Sequence, residues 1–181
     1  MTERIRKFLR RRREDGPCLV VDLEVIRVAE LTAALEAETH ELFRRPHVDV
    51  VWQVPADLPL LRTDRVKLKI VLRNLVANAL KFTERGSVTV QARPRRGGVE
   101  FTVIDTGDGI TPDAQAVIFE PFCQGDRTGA RRDGGAGLGL YLARRIVDRF
   151  EGTIMVDSEI GRGSSFRVWL PVDLEPTIAR S

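Results

Sequence analysis

Asn74, Asn78 and Lys81 are spaced four and three residues apart. At 100° per residue that spacing puts all three side chains on one stripe of a helix. Leu68, Leu72, Leu75, Val76 and Ala79 fall on the other side. Asparagine is a middling helix former, because its side chain competes for backbone hydrogen bonds. Two on one stripe therefore ask for a reason. A carboxamide oxygen is a hard ligand suited to Mg2+, and an ammonium is a compact charge suited to phosphate. Together they describe a seat for a metal-bound triphosphate. Taken alone, such a stripe is more often the wet face of an amphipathic helix.

Two glycine turns follow. Asp105-Thr106-Gly107-Asp108-Gly109-Ile110 comes directly after a strand pattern. A carboxylate at a strand end can accept a hydrogen bond from an exocyclic amine such as that of adenine. Glycines just after it let a ring or a phosphate come close to the backbone. Asp and Gly are also ordinary turn residues. Gly135-Ala136-Gly137-Leu138-Gly139-Leu140 opens a helix, and the free N–H groups of a helix start favour anions. A dinucleotide fingerprint looks similar, but it must follow the first strand of a parallel βαβ unit. A polar loop precedes this one, so that reading is excluded. Between the two turns, Glu120 to Gly134 is too long and polar for a tight connector, which suggests a lid or a disordered segment. Arg127, Arg131 and Arg132 within it could close over phosphates, although each alone reads as a solvated charge.

The elements that must position these residues are legible in outline. Leu19 to Val25 is a short strand candidate. Val28 to Phe43 carries Leu31, Ala34, Leu35 and Leu42 at helical spacing. Val48 to Val54 is β-branched and aromatic, hence a strand, and Pro55 to Pro59 a loop. Asp64 caps a helix that runs to about Phe82. Ser87–Arg93 and Val99–Val103 alternate apolar and polar residues around Arg95-Arg96-Gly97-Gly98, which reads as a hairpin. Leu138 to Phe150 is a helix. Thr153–Asp157 and Ser165–Leu170 make a last strand pair. With no βαβ alternation, the order predicts an α+β fold, a largely antiparallel sheet with helices on one face.

The 181 residues suffice for one compact domain. The 29 Lys and Arg against 26 Asp and Glu leave a formal charge of +3, much of it in Arg10 to Arg13. No aromatic side chain interleaves with those arginines, so a nucleic-acid platform is not supported. Cys18 and Cys123 are far apart and form no metal-ligand spacing. That usage fits a reducing cytoplasm. Neither a secretory leader nor a membrane span is recognisable, which leaves open whether a parent protein is membrane-anchored.

The Asn74-to-Thr83 stretch NLVANALKFT, then Asp105-x-Gly107-x-Gly109, Phe119-Glu120-Pro121-Phe122 and Gly135-x-Gly137-x-Gly139 occur in one order. They resemble the N, G1, F and G2 boxes of sensor histidine kinases, and Gly161-Arg162-Gly163-Ser164-Ser165-Phe166 is similar too. The likeness covers about Leu19 to Pro171. It implies a two-layer α/β sandwich of Bergerat type that binds ATP and Mg2+. Residues 1–16 would then end an upstream dimerisation helix, 17–172 form the catalytic domain and 173–181 a flexible tail. The resemblance also implies roles. Asn78 would ligate Mg2+, with Asn74 beside it, and Lys81 would meet the phosphates. Asp105 would recognise the adenine amine, with Gly107, Gly109 and Ile110 close to the base. Phe119 and Phe122 would anchor the lid. Gln124, Arg127 and Arg131 would approach the phosphates. Gly135, Gly137, Leu138, Gly139 and Leu140 would line them, and Ser165 would complete the pocket. Three departures stand out: Ile70 where many relatives are polar, Ala136 for a hydroxyl residue, and Cys123 in the lid.

Gyrase-type ATPases, similar in the same way, carry a glutamate general base where this chain has Asn74. An amide cannot take a proton near neutral pH. The resemblance therefore implies transfer to an acceptor rather than hydrolysis, by positioning and charge neutralisation. The acceptor would be a histidine on a separate helical hairpin, with a response regulator downstream and a homodimeric parent; the fragment itself is expected to be a monomer. His40-Glu41-Leu42 is a poor match to an acceptor motif, because Pro46 comes one residue too late and no hairpin surrounds it. A structural role is assigned to His40, and His47 is read as a turn residue. Two further readings remain open here: a degenerate nucleotide-sensing module and an anti-sigma-type serine kinase.

Overall fold

The computed structural model describes residues 20–42, 46–122 and 137–173. Their elements run β1 (Glu24–Ile26), α1 (Val28–Leu42), β2 (Val48–Gln53), β3 (Leu61–Thr63), α2 (Arg65–Phe82), β4 (Gly86–Arg95), β5 (Gly98–Asp105), α3 (Pro112–Val117), α4 (Gly139–Arg149), β6 (Thr153–Glu159) and β7 (Gly163–Pro171).

The main sheet has the order β2-β4-β5-β7-β6. Three of its pairings are antiparallel, as expected. The β2–β4 pair is parallel, with Val50 opposite Val88. Parallel neighbours need a long crossover, and α2 lies within it. The described residues therefore include a βαβ unit that the element pattern had not shown, because the short β3 interrupts it. β1 pairs with β3 in a separate two-stranded sheet.

Period-two alternation explains the layers. Val88, Val90, Val99, Phe101, Val103, Phe166, Val168 and Leu170 are buried on the sheet face that meets the helices. Leu68, Leu72 and Leu75 of α2, Ile146 and Val147 of α4, and Leu31 and Leu35 of α1 complete that core. Thr89, Gln91, Arg93, Glu100, Arg167 and Trp169 point the other way, so one face of the sheet carries the helices and the other is polar. Within that polar face Glu100 is only 2% exposed. Arg93 donates to it through Nε (2.9 Å) and Nη2 (2.5 Å), and Arg95 bonds its second oxygen. Burial alone would raise the Glu100 carboxyl pKa, but the two guanidinium groups hold it below the ordinary value.

Local signals set the ends of the elements. Asp64 caps α2, its side chain accepting the Lys67 N–H at 2.9 Å. Its other oxygen takes the Asp22 N–H at 3.0 Å and the Lys67 ammonium at 2.5 Å, which ties the chain before β1 to the start of α2. The β4–β5 hairpin turns at Arg96 and Gly97, both at positive φ (32° and 71°), the two-residue geometry that matches strand twist. α3 was not anticipated, although Thr111 and Pro112 are start signals: Thr111 Oγ1 accepts the Ala114 N–H at 3.2 Å. The first strand is shorter than expected, and Asp173, placed by the sequence in a loose tail, bridges to Arg62.

Candidate functional site

β5 is the central strand, and Asp105 is its last residue, opposite Val88 on β4 and Ser164 on β7. Its carboxylate is 5% exposed and faces the helix layer. Oδ1 accepts the N–H of Gly107 at 2.9 Å and of Ser164 at 3.2 Å. Burial pushes the Asp105 pKa up, and the nearby Asp108 carboxylate pushes the same way. The bonds from Gly107 and Ser164 offset this only in part. A carboxylate whose charge is disfavoured by burial, placed at a strand end beside a glycine turn, is a candidate functional group.

The turn after Asp105 is fastened along its length. The Thr106 N–H donates to the Ser87 carbonyl, the Asp108 N–H to the Phe82 carbonyl, and the Gly161 N–H to the Asp108 carbonyl. A Cβ at Gly107 would strike the Phe82 carbonyl, and one at Gly109 (φ 72°) the Glu159 carbonyl. The glycines are thus required by the chain's own backbone packing, before any ligand is considered.

On α2, Asn74 and Asn78 are half-buried and Lys81 is exposed in the last turn, its ammonium 5.4 Å from the Phe82 ring centroid. Asn74 Nδ2 donates to the Ile70 carbonyl at 3.0 Å. That bond turns Oδ1 toward α4, where a Cβ on Gly139 would sit 2.9 Å from it. The stripe predicted from spacing is therefore bracketed. The Asp105 turn closes on its Phe82 end, and the start of α4 lies against Asn74. α4 begins after Leu138 with no side-chain cap, so its first N–H groups are open to an anion. Gly137 takes a positive φ of 66°. Leu138 is exposed, while Leu140 is half-buried against the core.

Phe119 is buried, edge-on to Phe166 at 6.5 Å, with the Arg144 guanidinium 5.5 Å from its ring centroid. Phe122 is 72% exposed at φ 63°, and the rest of the lid it was expected to anchor lies outside the described residues. Ser165 departs from expectation. Ser164 and Phe166 face the helices, so alternation sends Ser165 to the polar face, away from Asp105. The serine at the site is Ser164, which stepping back in twos from Leu170 would have found. Ser158 and Gln115 were missed as well; both bond to Ile110. Gln124, Arg127, Arg131 and Gly135 lie outside the described residues, as do Cys123, Arg132, Ala136 and residues 1–16.

The chain matches the family described as histidine kinase-, DNA gyrase B- and HSP90-like ATPase over residues 63–174. It is 40% identical over 127 residues to the autoinducer 2 sensor kinase/phosphatase LuxQ of Vibrio vulnificus (strain YJ016), covering 67% of this chain and 15% of LuxQ. The chain thus spans a small part of the length of that relative. Its fold is similar to full-length ShkA in complex with AMPPNP, at TM-score 0.77 and 31% identity over 88% of this chain and 33% of ShkA. The histidine kinase ThkA in complex with the response regulator protein TrrA shares the fold at TM-score 0.72 and 23% identity, over 94% of this chain and 48% of that one. A carboxylate at the end of the central strand, a carboxamide stripe on the crossover helix and an uncapped helix start beside it belong together here, and the chain is a member of the histidine kinase-, gyrase- and HSP90-like ATPase family, as an ATP-binding domain of the sensor histidine kinase kind.

Proposed function

We propose that this domain holds ATP with Mg2+ along the α2 stripe and donates the γ-phosphoryl group to a histidine on a separate helical hairpin. The observation that carries this reading is Asn74: its amide is turned toward α4 by the bond to Ile70, and it cannot accept a proton from water. In transfer, an imidazole nitrogen from the hairpin bonds to the γ-phosphorus as the bond to the bridging oxygen breaks, and ADP leaves. Asp105 would accept the adenine amine, Asn78 would hold Mg2+, and Lys81 and the start of α4 would face the phosphates. Among the described residues no three His, Cys, Asp or Glu side chains cluster. A cation on Asn78 would draw its remaining ligands from phosphate and water, as Mg2+ usually does. When bound, the metal neutralises charge on the phosphates.

A response regulator that consumes the phosphoryl group extends the same reading, supported by the ThkA–TrrA complex, and a homodimeric parent and a cytoplasmic setting are proposed along with it. No described helix is long and apolar enough to cross a membrane. The test supplies a purified acceptor hairpin and γ-labelled ATP. Phosphohistidine is expected on the hairpin, lost with Asn78→Ala, and absent from this chain alone. Tight ATP binding with no transfer would leave a nucleotide-sensing module instead.

A further inference from the structure

What holds the Asp105 turn in place sits on two elements that the reading above does not use. Ile110 ends the turn, and both polar groups of its peptide go to side chains. Its N–H donates to Ser158 Oγ on β6 at 2.8 Å, and its carbonyl accepts from Gln115 Nε2 on α3 at 2.8 Å. The other Gln115 amide hydrogen goes to the Ser158 carbonyl at 2.9 Å. Both acceptors are carbonyls, so the carboxamide can face them only through its nitrogen. Gln115 thereby clamps the end of the turn to β6.

Ser158 carries the connection further. Its hydroxyl lies 2.8 Å from the Gly163 carbonyl and 3.0 Å from Ser164 Oγ. The Ser164 N–H and hydroxyl both bond the Asp105 carboxylate. Each hydroxyl has one proton to give. The Gly163 carbonyl can only accept, so it takes the proton of Ser158, and Ser164 gives its own to Asp105. The donors then run in one direction, from Ile110 N–H to Ser158, from the Ser158 hydroxyl to the Gly163 carbonyl, and from the N–H of that same peptide, on Ser164, to Asp105. Each bond polarises the next. The run ends on the carboxylate, and both ends of the turn become parts of one network. The route is short because Ser158 and Ser164 face each other across the β6–β7 pair.

We propose that Ser158 and Gln115 are positioning residues for base selectivity, fixing the angle at which Asp105 and its turn meet the adenine ring. This rests on Asp105 as the adenine acceptor. Neither side chain touches the base in this scheme; they act through Asp105 and Ile110.

Calorimetry on the full chain with Mg-ATP, Mg-GTP and inorganic tripolyphosphate tests it. The intact protein should prefer ATP to GTP. Ser158→Ala should lower that preference by about tenfold, the scale of one lost bond in a run ending on a charge. Its tripolyphosphate affinity should be unchanged, whereas a merely structural defect would lower all three together. Ser158→Thr, which keeps the hydroxyl, should restore the preference. Gln115→Ala is the second variant if Ser158→Ala does not fold, and should act in the same direction. An unchanged ATP-to-GTP ratio in both variants, with the ratio lost in Asp105→Asn, overturns this inference and leaves the reading of Asp105 standing. A ratio unchanged in Asp105→Asn as well overturns both.

Discussion

Asp105 pays twice for its place. It sits where burial disfavours its charge, and it is held there by bonds that only partly compensate. A carboxyl whose pKa is raised by folding favours the folded state at pH values below its unfolded pKa, and that contribution is lost as pH rises through the folded value. Asp105→Asn removes the charge while keeping an oxygen for the Gly107 and Ser164 N–H groups. The variant should therefore melt higher than the parent at neutral pH, by calorimetry, while losing its preference for adenine over guanine. A lower melting temperature would contradict the account of burial. Gly139 makes the opposite case. Gly139→Ala drives a methyl against Asn74 Oδ1, and ATP affinity should fall although the residue need not touch the nucleotide. Spacing found Asn74 and Gly139 separately, but no pattern along the chain says that they touch. Ser158 and Gln115 carry no motif, and the roles proposed for them appear only when α3 and β6 converge on Ile110.

At the scale of elements, α2 depends on its first turn. Burial would raise the Asp64 pKa, but the Lys67 ammonium, the Lys67 N–H and the Asp22 N–H outweigh it and hold the carboxyl below its usual value. Losing an N-cap carboxylate costs about 1–2 kcal/mol. Asp64→Ala should lower stability by that order in urea unfolding at neutral pH. The group's contribution exists above the unfolded carboxyl pKa and disappears as pH falls through the lower folded value. The gap between parent and variant should therefore close in acid, below about pH 4. A gap independent of pH would show that the cap's charge is irrelevant. The cap, the helix and the hairpin were legible because each is written in a few adjacent residues. The parallel β2–β4 pair was not, since its partners are separated by β3 and all of α2. Strand alternation was legible in β7, yet choosing Ser164 over Ser165 required knowing which face the helices cover.

For the molecule as a whole, the sheet separates two kinds of chemistry. Asp105, α2 and α4 share one face, and the Arg93–Glu100–Arg95 cluster lies on the other, toward the β4–β5 turn. Only the Glu100 carboxylate is buried, its arginine partners being exposed, so replacing it forfeits charge-assisted bonds rather than stranding a buried cation. Glu100→Gln should reduce stability, most at pH values above the Glu100 carboxyl range, because its lowered pKa contributes only there. ATP affinity measured well below the melting temperature should stay at the parent value. A parallel loss of affinity would mean that the two faces communicate.

The crossover has a consequence for how ligand and chain stability are linked. The helix bearing the carboxamides is spliced between two strands of one sheet, so the triphosphate seat proposed for it would form only when those strands pair. A half-formed chain should have no weak version of the pocket to offer. Nucleotide at a hundred times its dissociation constant then raises the unfolding free energy by about 2.7 kcal/mol, and thermal shift in rising ATP becomes a gauge of affinity even where no acceptor is at hand.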